Sequence, residues 1–260
     1  MRHIIMFSGG IGGYECARRI KAAVDDPATI TLLFADTQIE DEDLYRFRDE
    51  AAGRLNLHLE TIADGRDPWG VFFDERFLGN TRADPCSKLL KRKLLRKWLD
   101  DNCQPHNTIV YLGLDWIEQH RIAGAWARWA PWAVRFPLAE PPYEFKHDWL
   151  DQCRRDGIEP PRLYKHGFPH NNCGGFCVKG GQAQFAKLLR VFPDRYRWHE
   201  EREQELREFL GKDVAILRDR RGGETRPLTL RELRQRLEAD AGAYDQQDWG
   251  ACGCFTEAAA

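Results

Sequence analysis

The chain has 260 residues and a formal net charge of −2, from 39 lysines and arginines against 41 aspartates and glutamates. No apolar run approaches the ~18 residues that a membrane span needs, and the N-terminus lacks the basic, apolar, small-residue pattern of a signal peptide, so a cytoplasmic protein with no membrane partner is expected. Eight cysteines in such a chain point to metal or redox chemistry rather than to a disulfide framework, and the length suits one large α/β domain or one domain with an appendage.

The first apolar run, Ile4-Ile5-Met6-Phe7, leads straight into Ser8-Gly9-Gly10-Ile11-Gly12-Gly13. Cys16, Ala17, Ile20 and Val24 then recur on one helical face. The pattern predicts strand, tight glycine loop and helix. Such a loop bares backbone N–H groups at a helix N-terminus, where the dipole favours an anion. No Gly-Lys-Ser/Thr closes it and its glycine spacing is not that of a dinucleotide fingerprint. A turn that merely packs a helix on a sheet is the alternative. Residues 29–34 predict a second strand ending at Ala35-Asp36-Thr37, with a helix from about Asp41 to Leu55. Residues 57–62 predict a third strand, 86–100 a helix, and Thr108 to Leu112 a fourth strand. This alternation predicts an α/β fold with a doubly wound, mostly parallel sheet. Ligands in such sheets bind beyond the carboxyl ends of the strands, where the glycine loop, Asp36 and Gly113-Leu114-Asp115 fall.

The texture changes after residue 115, where tryptophan, proline and loop signals dominate to about 180. A soft boundary near 116 divides a nucleotide-binding core, residues 1–115, from a cysteine-containing, mainly helical and loop extension, residues 116–260, packed on it. Two helices are predicted there, Gln182–Leu189 and Tyr196–Leu210, followed by a basic segment from Arg218 to Arg236.

Several constellations could carry chemistry. Asp36 could accept hydrogen bonds from a nucleotide or hold a phosphate-bound metal, or it could cap the next helix. Cys86 opens a basic helix bearing Lys88, Lys91, Arg92, Lys93, Arg96 and Lys97. A thiol there should be unusually acidic, and the cations could hold phosphates of a nucleotide or nucleic acid. A solvated helix face with a buried thiol is the other reading. Cys173-Gly174-Gly175-Phe176-Cys177 forms a knuckle able to turn two sulfurs inward onto zinc or an iron–sulfur cluster. His170 beside it could be an acid, a ligand or a core histidine. Cys252-Gly253-Cys254 could add ligands or a redox pair, or be incidental thiols on a tail. The Arg218–Arg226 segment could grip a polyanion or be a charged loop. Cys16, Cys103 and Cys153 read as packing residues.

The glycine loop resembles the pyrophosphate loop of the PP-loop ATP pyrophosphatases and sulfonucleotide (phosphoadenosine phosphosulfate) reductases, with the adenine nucleotide alpha-hydrolase fold. Their loop begins Ser-Gly-Gly after a buried strand and usually ends in serine, where this chain has Gly13. The order of Cys86 with its basic helix, Pro137-Leu138, Leu163-Tyr164…Gly167-Phe168 and Cys173…Cys177 is similar to that family over about residues 3 to 180. Position 87 is serine where cluster-bearing reductases carry a second cysteine, and the knuckle is longer by one residue.

The resemblance implies an ATP-dependent sulfurtransferase that adenylates a tRNA or DNA acceptor. An adenine nucleotide with Mg²⁺ would lie on Ser8, Gly9, Gly10, Gly12 and Gly13, with Asp36 and Asp115 lining its pocket. Cys86, Cys173 and Cys177 would be catalytic and, with Cys254, would hold a [4Fe–4S] cluster, or zinc as the alternative. The implied partners are a sulfur-donor protein or a thioredoxin-like reductant, with a homodimer left open. Two alternatives remain: a reductase of adenylyl sulfate or its 3′-phosphorylated form, and a non-catalytic nucleotide- or nucleic-acid-binding module with structural zinc.

Overall fold

In a computed structural model that describes residues 1–80 and 82–250, the centre is a five-stranded, wholly parallel sheet in the order β3-β2-β1-β4-β5. Its strands are β1 Arg2–Met6, β2 Ile30–Asp36, β3 His58–Ala63, β4 Thr108–Tyr111 and β5 Ala133–Arg135. The central β1 pairs β2 from His3↔Ile30 to Met6↔Leu33, and β4 from Arg2↔Thr108 to Ile5↔Tyr111. This is the doubly wound sheet that the alternation of strands and helices predicts, with the order reversing at β1, where such folds open a ligand crevice.

Alternation along β1 explains the two faces. Ile5 joins one buried layer with α1 (Ile11–Ala23), α2 (Glu42–Leu55) and α6 (Lys146–Arg155), as does Phe7 just beyond the strand. Ile4 and Met6 join the other, under α4 (Leu94–Asn102) and α5 (Ile122–Trp129). Trp129 and Trp132 lie in that layer, whereas Trp126 is exposed. A third core gathers α3 (Pro68–Asp74), α8 (Gln182–Val191), α9 (Pro193–Leu210), α10 (Leu230–Ala239) and a small hairpin, β6 Leu217–Asp219 with β7 Arg226–Leu228. Strand β5 comes from beyond residue 115, and α3 and Leu90, from before it, pack into the third core.

The helix expected over 86–100 is two pieces. Ser87–Lys93 winds as a π-helix and runs into α4. Such wide turns are rare and concentrate at functional sites. The four-residue helix α7, Arg162–Lys165, then turns the chain back toward the glycine loop.

Candidate functional site

The glycine loop keeps its shape for steric reasons. Gly9 has φ +72°, and a Cβ there would sit 2.7 Å from Leu44 Cδ2. A Cβ on Gly13 would meet Phe7 Cδ2 at 2.9 Å, so a serine at this position would have to displace the phenylalanine ring. The loop is clasped from the far half of the chain. Ile11 N–H donates to the Tyr164 hydroxyl at 3.2 Å, and Asn171 Nδ2 donates to the Gly9 carbonyl at 2.9 Å. No acidic residue occupies the first turn of α1, which keeps that end attractive to anions.

A cavity of about 500 Å³ opens beyond the ends of β1 and β4. Ser8, Gly10, Gly12, Gly13 and Asp115 line it, so most of the residues expected to hold a nucleotide come together. Gly9 contributes its carbonyl to the clasp rather than to the wall. Arg121, Lys146 and His170 add nitrogen-bearing side chains to the wall. Burial first, then the charges of Lys146 and Arg121, lower the His170 pKa to about 4, so the imidazole is neutral at pH 7. The Asp115 carboxylate accepts from Ile117 N–H and Glu118 N–H, capping the short turn that carries Arg121. Asp36 is placed differently. It does not line this cavity, and its Oδ1 accepts from Gln38 N–H and the Tyr45 hydroxyl, both at 2.8 Å.

The expected sulfurs also meet. Cys86, Cys173 and Cys177 line one crevice of about 20 Å³ with Ser87, Lys91, Asp84 and Lys179. Its wall is shared with the cavity, because Asn172 lines the cavity and the next residue, Cys173, lines the crevice. Glu40 holds the crevice together. Its carboxylate accepts from Thr37 Oγ1 at 2.9 Å, from Lys91 Nζ at 3.3 Å, and from Cys173 N–H, where the backbone has φ +49°. Asp84 similarly pairs with Arg92 and Lys179, at 3.4 and 3.9 Å.

A [4Fe–4S] cluster does not fit the described residues. Among them, no group of three His, Cys, Asp or Glu side chains is arranged to hold a metal ion, zinc included. The crevice volume is that of about one water molecule. Cys252 and Cys254 lie outside the described residues. Gly250 forms an antiparallel bridge with Gly180, three residues after Cys177.

The remaining cysteines are packing residues. Cys16, Cys103 and Cys153 are buried, and burial first pushes Cys16 and Cys153 up to about 12. The arginine-rich segment is largely consumed by ion pairs. Arg221, Arg226 and Arg236 converge on Asp219, while Arg231 and Arg234 reach Glu200. Sequence reasoning missed Phe145, Lys146, Trp149 and Asn171 in the cavity wall. The one available signal was the aromatic and basic run Phe145-Lys146-His147 after two prolines.

The fold and cavity define an α/β protein with a glycine loop at the carboxyl edge of a parallel sheet. No protein-family model and no curated protein matches the chain. Among solved structures it is similar to phosphoadenylyl-sulfate (PAPS) reductase from Candida auris in a phosphate complex, at 12% identity over 65% of this chain and 79% of that one, with a TM-score of 0.44. It is similar to NH3-dependent NAD synthetase from Campylobacter jejuni in complex with nitrate, at 17% identity over 81% and 87%, with a TM-score of 0.43. It is also similar to a predicted subunit of tRNA methyltransferase from Methanocaldococcus jannaschii, at 13% identity over 63% and 92%, with a TM-score of 0.36. These are likenesses of chain path.

Proposed function

We propose that the protein is an ATP-using enzyme of the PP-loop kind that activates an acceptor oxygen and replaces it with sulfur. The observation that carries this reading is the cavity itself. The glycine-rich N-terminus of α1 lines it together with Arg121, ion-paired with Glu118, and Lys146. A helix N-terminus with cations in the same cavity suits a polyphosphate and stabilises a leaving pyrophosphate. The acceptor oxygen attacks the α-phosphorus of ATP, pyrophosphate leaves, and AMP remains on that oxygen. Mg²⁺ would accompany the triphosphate, with Asp115 in the cavity lining as a candidate carboxylate.

The neighbouring thiols supply the second half. A sulfur-donor protein would load a persulfide on one of Cys86, Cys173 and Cys177. Its outer sulfur attacks the activated carbon, and AMP departs with the original oxygen. A second thiol then cleaves the S–S bond, leaving sulfur on the acceptor and a disulfide on the enzyme, which a thioredoxin-like reductant resets. No step requires a cluster. The bridge at Gly250 supports Cys254 as a further thiol within a short length of chain from the crevice. A groove beside the crevice supports tRNA or DNA as the acceptor. Lys88, Arg92, Lys93, Arg96, Lys97 and Arg128 line it against Asp100 and Asp101.

Pyrophosphate release from ATP, measured with tRNA or DNA and a persulfide donor, tests the proposal. ATP-dependent release that needs the acceptor is expected. Absence of release with every nucleic acid would remove it, and sulfite formation from a sulfonucleotide with thioredoxin would identify a reductase instead.

A further inference from the structure

Arg218 stands apart from the arginines that converge on Asp219 and Glu200. In the small hairpin Leu217 pairs with Leu228, and both enter the third core. Strand alternation therefore turns Arg218 and its partner Pro227 to the other face. There they line a cavity of about 320 Å³, which shares no lining residue with the glycine-loop cavity or the crevice. That volume is at the lower end of the ~300–1,000 Å³ of small-molecule pockets. Arg218 Nε is buried and has no hydrogen-bond partner. A buried guanidinium N–H without an acceptor is destabilising, and a ligand oxygen would satisfy it.

Two further cations line the same cavity. Lys212 comes from the turn after α9 and Arg76 from the turn after α3. Among the described residues, no carboxylate pairs with Arg76, Lys212 or Arg218. The carboxylate in the lining, Asp213, is already paired with Arg207 at 2.8 Å.

Arg76 occupies a position where the backbone favours glycine. Its N–H donates to the Phe73 carbonyl, and the Phe77 N–H donates to the Phe72 carbonyl, the pattern that closes a helix on a left-handed residue. The chain nevertheless keeps arginine there at φ +50°, with its guanidinium over the Phe209 ring, 4.7 Å from the centroid. Residues held in sparsely populated backbone regions cluster where ligands are gripped.

The rest of the lining is mainly apolar, from Phe77, Leu78, Leu210, Val214 and Pro227. Three cations exceed the single charge of a carboxylate and suit a phosphate monoester, which carries about −1.5 to −2 at pH 7. Guanidinium groups bind such an oxyanion through paired, charge-assisted hydrogen bonds. An inorganic ion would use the cations alone, whereas a ligand that uses the whole lining adds a small apolar body.

We propose that this cavity is a second ligand site, which binds a small phosphate monoester with an apolar body through Arg76, Lys212 and Arg218. It does not depend on the nucleotide reading of the glycine loop.

Calorimetric titration of the full-length Gly12→Asp protein with phenyl phosphate tests it, because that substitution adds a negative charge to the glycine-loop cavity and disfavours the probe there. One saturable site is expected, with phenyl phosphate about tenfold tighter than inorganic phosphate. Arg218→Gln and Arg76→Gly, made in the same background, should each weaken phenyl phosphate at least about tenfold. Glycine suits the left-handed position, so Arg76→Gly should melt no lower than its parent, and its lost binding then reports the guanidinium rather than the fold. Absence of saturable binding, binding unchanged in both arginine variants, or inorganic phosphate held as tightly as phenyl phosphate would overturn the site. Oligothymidylate that binds more tightly than phenyl phosphate, and is weakened by the same two variants, would overturn the small ligand in favour of a nucleic-acid strand.

Discussion

The cavity and the crevice share a wall but are built on opposite principles. The cavity is open and holds about 500 Å³, and Lys146 in its lining donates to the Pro169 carbonyl. The crevice holds about 20 Å³, and its charges are matched: Glu40 with Lys91, Asp84 with Arg92 and Lys179. A surface with a glycine-rich helix N-terminus and open volume has room for an anionic ligand. A surface whose charges are already satisfied spends its electrostatics on holding three cysteines in place. In the proposed function, the cavity is the site that binds and the crevice the site that positions reactive atoms.

The sharpest way to break that contrast is to unmatch the crevice. Glu40→Ala leaves Lys91, 4% exposed, without its carboxylate. Loss of one partner of a buried pair costs about 3–5 kcal/mol, so urea unfolding should show a loss of that order, with Glu40→Gln/Lys91→Met recovering much of it. The cavity should fail differently, through protonation. His170 has a folded pKa lowered from 6.5 to about 4. The stability this contributes is complete above pH 6.5 and is lost as pH falls toward 4. About 3 kcal/mol should disappear over that window, and His170→Asn should flatten the acid limb of a stability–pH curve.

A smaller effect belongs to the loop. Gly13→Ser must push Phe7 aside, at about 1–3 kcal/mol, and should weaken ATP while leaving the crevice thiols equally reactive. The smallest effect is chemical. Native alkylation at pH 8 should spare Cys16 and Cys153, whose thiols burial pushes up to about 12, and should modify them only in urea. Metal analysis sharpens the same comparison. Iron with acid-labile sulfide, lost in Cys254→Ser, would show that residues beyond 250 enlarge the crevice into a cluster site.

The sheet was legible because its strands and helices each carry a clear period and are joined by short turns. Ser8, Gly10, Gly12, Gly13 and Asp115 could be read as one site because strand ends in such sheets converge. The gathering of Cys86 with Cys173 and Cys177 was legible only through the resemblance, since 86 residues lie between Cys86 and Cys173. The place of Asp36 outside the cavity was not legible, because a carboxylate at a strand end looks the same whether it faces a ligand or accepts from Gln38 and Tyr45. Strand β5 has three residues, too few to show a period. The place of Phe145 in the cavity wall was hidden because its surroundings are made by Trp116 and Arg19, distant in the chain.

The most direct measurement uses Gly12. A Cβ there has ordinary clearance, 3.6 Å from the Gly113 carbonyl oxygen and 3.7 Å from Leu138, so Gly12→Asp should fold while adding a negative charge to the cavity lining. Equilibrium titration with ATP should show saturable binding to the wild type, displaced by pyrophosphate, and at least about a hundredfold loss in Gly12→Asp. Unchanged ATP affinity in a folded Gly12→Asp protein, or wild-type binding that pyrophosphate cannot displace, would contradict a phosphate-gripping glycine loop.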